Sequence, residues 1–117
     1  MTEAGLVTLL QGICPRVYPI LAPSGAAYPY VTWQQTGGMD VVYANGQAAD
    51  KHLPDVLIKV YSASLKEAAA TLKLIDAALR ASDTEVESIN AYQTDVETEF
   101  DPWRYNASRF YELLMDR

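Results

Sequence analysis

The chain has 117 residues, half of them hydrophobic, and a formal charge of −6. That length predicts one domain, residues 1–117, with enough core to fold without disulfides or metals. The acidic balance excludes a sequence-independent grip on nucleic acid phosphates, which needs clustered Lys and Arg, and the single cysteine, Cys14, excludes a disulfide scaffold and fits a reducing compartment. The opening MTEAGL carries no basic segment before an apolar run, and no apolar stretch nears the roughly 18 residues of a membrane span, so a soluble cytosolic chain without a membrane partner is expected.

Residues 2–13 predict a short helix. Thr2 can cap it, Glu3 suits the positive end of its dipole, Leu6, Leu10 and Ile13 share a face, and Gly12 and Pro15 stop it. Pro15, Pro19, Pro23 and Pro29 follow closely, each fixing its own φ and pushing its predecessor towards extended geometry, so this stretch reads as an extended surface crossing. Tyr30 to Thr36 is β-branched, aromatic or amide, a strand with Val31 and Trp33 on one face and Tyr30 and Thr32 on the other. Gly37 and Gly38 end it. A long, partly hairpin-like excursion follows over 38–53, in which Asn45-Gly46 is a tight-turn signal after the apolar run Val41 to Tyr43. LPDVLIKVYS is the clearest strand, with Val56, Ile58 and Val60 on one face and Leu57, Lys59 and Tyr61 on the other.

Ser64 and Glu67 form a capping box, and Leu65, Ala68, Ala69, Leu72, Ile75 and Leu79 recur at helical spacing, which predicts a helix over 64–81. Beyond it every acid from 83 to 101 sits at an odd position: Asp83, Glu85, Glu87, Asp95, Glu97, Glu99 and Asp101. The even positions hold Val86, Tyr92, Val96 and Phe100. Period two is the strand period, so one or two strands with an acidic face are expected. The end of the chain suits either a helix, through Phe110, Leu113 and Leu114, or a strand, through Tyr105, Ala107, Tyr111, Leu113 and Met115. The order of elements predicts an α+β fold, two helices packed on one face of a largely antiparallel sheet.

No chemistry emerges from the same residues. His52 lies beside Lys51 in a stretch read as a polar loop, with no partner at metal-ligand spacing, and Cys14 before a proline reads as a small buried side chain. The glycines form no phosphate-binding loop, and Asn106-Ala107-Ser108 is an incidental glycosylation match. Glu85 with Glu87 reads as a solvated strand face rather than an acid–base pair. No catalytic, cofactor-binding or metal-ligating residue is assigned, and no cofactor is expected. Trp33 and Tyr61 read as sheet packing, Tyr43 as a partner contact.

The early helix, RVYP at 16–19 and AP at 22–23, YPYVTWQ at 28–34, VLIKVYSASLKEA at 56–68 and SRFYELL at 108–114 together resemble the tail completion, or tail terminator, proteins of long-tailed phages and prophages. The similarity runs in order along nearly the whole chain and is one of packing motifs. It implies a non-enzymatic subunit whose hexameric ring caps the finished tail tube, ends its polymerisation and offers a surface for head joining. The implied partners are further copies of the chain, the tail tube protein and a head–tail connector or neck protein. DNA would only pass through, without specific binding. Assembly would take place in the host cytoplasm, and the assembled protein would lie in the virion tail. The resemblance also implies that the last segment is a strand and that the excursion between the early strands is long and mobile in free subunits. On this basis Met39, Val41, Val42, Tyr43 and Asn45 are candidate interface residues, and Glu85, Glu87, Asp95, Glu97 and Glu99 a candidate acidic lining of the ring channel. The alternatives are a neck or head-closure component and, from another class, a small cytosolic α+β enzyme or ligand-binding domain with an aromatic pocket.

Overall fold

The structure is a computed structural model that describes residues 1–42, 48–82, 84, 86–88, 91–99 and 103–116. Helix α1 spans Glu3–Gln11, capped by Thr2, whose hydroxyl accepts a hydrogen bond from the Gly5 N–H at 3.0 Å. It is shorter than the predicted 2–13 because the chain turns at Gly12, whose N–H bonds to the carbonyls of Thr8 and Leu9. The proline-rich crossing carries a short strand that periodicity does not reveal: β1, Val17–Pro19, lies parallel to the start of β2, Tyr30–Val42. The Arg16 guanidinium donates to the carbonyls of Tyr28 and Pro29 and so ties the two ends of the intervening loop together.

β2 pairs antiparallel with β3, Ala48–Ser62. The expected excursion is therefore strand on both limbs as far as Val42 and from Ala48, and its Asn45-Gly46 turn lies outside the described residues. Lys51 and His52 are a correction to the loop reading: both belong to β3, His52 opposite Asp40 and Met115. The register shifts between Gln35 and Gly37, where Gly37 has φ 146°, a backbone state that L side chains rarely adopt. At about 3.3 Å per residue the strands of this hairpin account for the longest dimension of the subunit, 55 × 26 × 24 Å.

Helix α2 spans Leu65–Ala81. The predicted capping box is half made: the Ser64 hydroxyl accepts from the Glu67 N–H, but the Glu67 carboxylate accepts from the Ser62 hydroxyl, and that same hydroxyl accepts from the Ser64 N–H. Short strands β4, Val86–Ser88, and β5, Gln93–Glu97, follow, then β6, Arg104–Leu113, and β7, Met115–Asp116. The sheet order is β1-β2-β3-β6-β4, with β5 also on β6 and β7 on β3. All pairings except β1 with β2 are antiparallel, so the chain has the expected α+β architecture.

Both helices cover one face. Leu6 and Leu10 of α1 and Ala68, Leu72, Ile75 and Leu79 of α2 join Val31, Val56, Ile58, Val60, Ala107, Tyr111 and Leu113 of the sheet in one buried cluster. The ladder explains the membership: Val31 opposes Val60, Val60 opposes Ala107, and Val56 opposes Tyr111, so each triplet of strands turns its apolar set the same way. The strand alternative at the chain end is the one adopted, because Ala107, Tyr111, Leu113 and Met115 are buried at alternating positions of β6 and β7. Leu65, read as part of the apolar helix stripe, is exposed.

Candidate functional site

With both helices on one face, the other face of the sheet, called the open face below, carries no helix among the described residues, although Tyr30, Thr32, Tyr61, Asn106 and Ser108 on it are buried. Residues opposite each other in a ladder share a face, which places Tyr30, Thr32, Asp55, Leu57, Lys59, Tyr61, Arg104, Asn106, Ser108, Phe110 and Glu112 there. Three of its rungs build a stack. The rings of Tyr28 and Tyr30 lie 5.7 Å apart and nearly parallel, those of Tyr30 and Tyr61 4.9 Å apart, and the Arg104 guanidinium sits 4.8 Å over Tyr61. Arg104 also donates to the Tyr30 hydroxyl at 3.1 Å and pairs with Glu97, so its charge is neutralised within the stack. Burial pushes the Tyr30 and Tyr61 phenols above their ordinary value, and both remain protonated and neutral. Beside the stack is a depression of about 420 Å³ lined by Leu57, Lys59, Asp95, Asn106, Ser108 and Phe110 among others.

Three acids of the 83–101 segment fall on this open face. Glu97 opposes Arg104, Asp95 opposes Asn106, and Glu87 opposes Glu112. Glu112 in turn opposes Asp55, so Asp55, Glu112 and Glu87 form a row of carboxylates across β3, β6 and β4. Like charges opposed in a ladder cost stability, and water on the open face keeps that cost small. Glu99 lies in the turn after β5, and Asp83, Glu85 and Asp101 lie outside the described residues. The even positions do not pack as a strand interior would: Val86 rests against the core, but Tyr92 and Val96 are exposed and Phe100 lies outside the described residues, because β5 is an edge strand with no helix over it. Of the candidate interface residues, Met39, Val41 and Val42 belong to β2, Met39 opposite Leu53 and Val42 opposite Ala48, while Tyr43 and Asn45 lie outside the described residues.

On the helix side, sequence reasoning missed a polar cluster. Asp76 accepts from the Tyr111 hydroxyl at 2.9 Å, from Arg80 at 2.9 Å and from Arg109 at 3.3 Å. Only the Asp76/Arg80 spacing of four was visible in advance. Burial raises the Asp76 carboxyl, but the hydrogen bonds of Arg80 and Tyr111 and the charges of Arg80 and Arg109 outweigh it and leave it below the usual carboxylate range. Because the folded pKa is depressed, its stabilisation is present above the ordinary value, about 3.9, and is lost as pH falls through the folded one. Asp76→Asn should therefore lower stability by about 1–3 kcal/mol at pH 7. In urea titrations the gap to the parent should close towards pH 2, and a gap independent of pH would show that charge is not the cause.

Among the described residues no group of His, Cys, Asp and Glu can hold a metal ion, and Cys14 is buried as expected, its thiol donating to the Pro29 carbonyl. Asn106 is buried on β6, which removes it as a glycosylation acceptor. No helix is long and apolar enough to cross a membrane among the described residues. This face offers a polar, acidic, aromatic-braced surface of sheet. The family described as Tail completion protein gp17 matches residues 1–110, and the chain belongs to that family. Its role is structural, in a phage tail. Among solved structures it is similar to a chain of the virion of a native gene transfer agent (GTA) particle, at 20% identity and a TM-score of 0.58, over 96% of this chain and 85% of that one. No curated protein sequence matches it.

Proposed function

We propose that copies of this chain close into a ring, six in number as the resemblance implies, that sits on the end of the tail tube, ends its polymerisation and presents a surface to the head connector or neck protein. The observation that carries this reading is the family match over residues 1–110. The likeness to a chain of a gene transfer agent virion supports the fold such a subunit would use. In this ring the helices face outward and the open face of the sheet faces the bore, so that Glu87, Asp95 and Glu97, with Glu85 and Glu99, line the path of the DNA and repel it without any specific contact. Assembly occurs in the host cytoplasm before the ring enters the virion tail. Deleting the gene should give tubes of uncontrolled length, and purified protein added to polymerising tube subunits should stop growth. Tails of normal length beside unjoined heads would instead identify a head-closure component.

The arm formed by the paired segments 38–42 and 48–53 completes the proposal. A two-stranded ribbon is marginal in water unless something covers it, and Met39, Val41, Val42, Tyr43 and Asn45 are its contacts with a neighbouring copy or the tube. Hydrogen exchange should show the Val41 and Val42 amides gaining protection on assembly. Equal protection in dilute subunit and assembled ring would assign the arm no part in assembly.

A further inference from the structure

The depression of about 420 Å³ on the open face is lined by polar groups that the fold leaves unused. Asn106 and Ser108 line it and are only 4% and 7% exposed, yet among the described residues neither side chain has a hydrogen-bond partner. Buried amides and hydroxyls are nearly always paired, so two of them facing one cavity mark a place for a partner from outside the chain. Lys59 opposes Ser108, lines the same depression and forms no ion pair among the described residues, whereas Arg104 and Arg109 of β6 are paired with Glu97 and Asp76. The ladder sets these groups in rows. Phe110 opposes Leu57, Ser108 opposes Lys59 on one side and Gln93 on the other, and Asn106 opposes Asp95. Successive residues on one face of a strand are about 7 Å apart, so the depression runs from an apolar row, through a row of cation and hydroxyl, to a row of amide and carboxylate. Past the apolar row Glu112 opposes Asp55.

We infer that this depression binds a carboxylate carrying an apolar substituent, the chemistry of a chain terminus that ends in Leu, Ile or Phe. The carboxylate accepts from the Lys59 ammonium and the Ser108 hydroxyl, and the substituent lies on Leu57 and Phe110. The Asn106 amide, which both donates and accepts, takes the peptide unit before the terminus. Asp95 accepts from the Val96 N–H at 2.8 Å through Oδ1, which leaves Oδ2 to accept the N–H of the ligand. The surrounding charges set the class. A second negative charge on the ligand would meet Asp95 at one end or Asp55 and Glu112 at the other, so a dianion or a phosphate does not fit. A wholly apolar ligand would leave Asn106, Ser108 and Lys59 still unmet. The volume falls within the range of small-ligand sites, about 300–1,000 Å³, and suits the end of a chain rather than a folded domain. The site stands on the subunit alone and does not depend on the ring.

The test titrates the full chain with N-acetyl-leucine, with a short peptide ending in Leu as the free acid, and with the same peptide C-terminally amidated. Backbone amide NMR shifts at Lys59, Asn106 and Ser108 should move and saturate with the acids, half-saturating at about 1 mM or below. The amidated peptide should bind about tenfold more weakly or worse, because its terminus makes no charge-assisted hydrogen bond. Lys59→Met keeps the apolar stem and should unfold in urea as the parent does, yet lose about tenfold in affinity for the acids and nothing for the amide. Structural damage would weaken both alike. Tighter binding of the peptide acid than of N-acetyl-leucine assigns the site to a chain terminus, and equal binding assigns it to a free carboxylate; either result supports the site. Equal affinity for acid and amide, or for parent and Lys59→Met, would overturn the carboxylate assignment. No saturable shift with any of the three would show that the depression holds only solvent, and would leave the ring reading untouched.

Discussion

Tyr111→Ala should be the most damaging single truncation in the molecule. Its ring is fully buried between α2 and the sheet, opposite Val56 and Ser88, and its hydroxyl donates to Asp76. Removing a buried aromatic side chain costs about 3–5 kcal/mol, and the loss leaves Asp76 short of one donor. Against a total stability of roughly 5–15 kcal/mol, the variant should melt about 10–25 °C lower. Tyr111→Phe keeps the packing and should cost only about 1–1.5 kcal/mol. Comparing the two in thermal or urea unfolding separates packing from hydrogen bonding, and equal losses would mean that Asp76 and not the ring holds α2 to β6.

In the proposed ring, reversing the charge of the open face should leave folding intact and slow the passage of DNA. Glu97 is unsuitable for this because it pairs with Arg104, which braces the tyrosine stack. Glu87, Asp95 and Glu99 are exposed. Changing these three to Lys adds two charges each and takes the subunit from −6 to zero. Every copy in a ring would then offer lysines to phosphate, and phosphate contacts weaken steeply with added salt. The expected result is tails of normal length and normal DNA packaging with ejection slowed by about tenfold or more, recovering as salt screens contacts beyond about 10 Å at 0.1 M. Normal ejection kinetics at low salt would show that these carboxylates are a solvated surface and nothing more.

The sequence made some of this legible because the physics was local. Thr2 and Ser64 announce helix starts through groups within three residues of them, and Val56, Ile58 and Val60 announce a core-facing strand by alternation alone. Glu87, Asp95 and Glu97 share a face as the odd spacing suggested, because a strand's period is fixed, although the strands that carry them, β4 and β5, are only 3 and 5 residues long. What stayed hidden depends on pairing. Nothing near Tyr28, Tyr30, Tyr61 or Arg104 in the chain says that they stack, since the stack exists only once Tyr30 opposes Tyr61 in the ladder. Likewise β1 has no pattern of its own, being three residues with a proline at the end, and is a strand only because Val31 donates to the Arg16 carbonyl beside it. Lys51 and His52 read as loop by polarity, but their neighbours across β3 decided otherwise.

The length of β3 carries a mechanical consequence. Over Asp55–Ser62 it is bonded on one side to β6 and, from Asp55 to Tyr61, on the other to β2. A pull applied along the arm acts parallel to β3 and at right angles to these hydrogen bonds. Because both limbs of the arm, β2 and β3, are pulled together, the rungs of β3 with β6 and of β2 with β1 must yield together, in shear, instead of opening one after another like a zipper. The arm is thus anchored in the one strand whose orientation turns many weak bonds into a single strong tether, while the short strands β4 and β5, loaded from the side, would be the first parts of the sheet to peel.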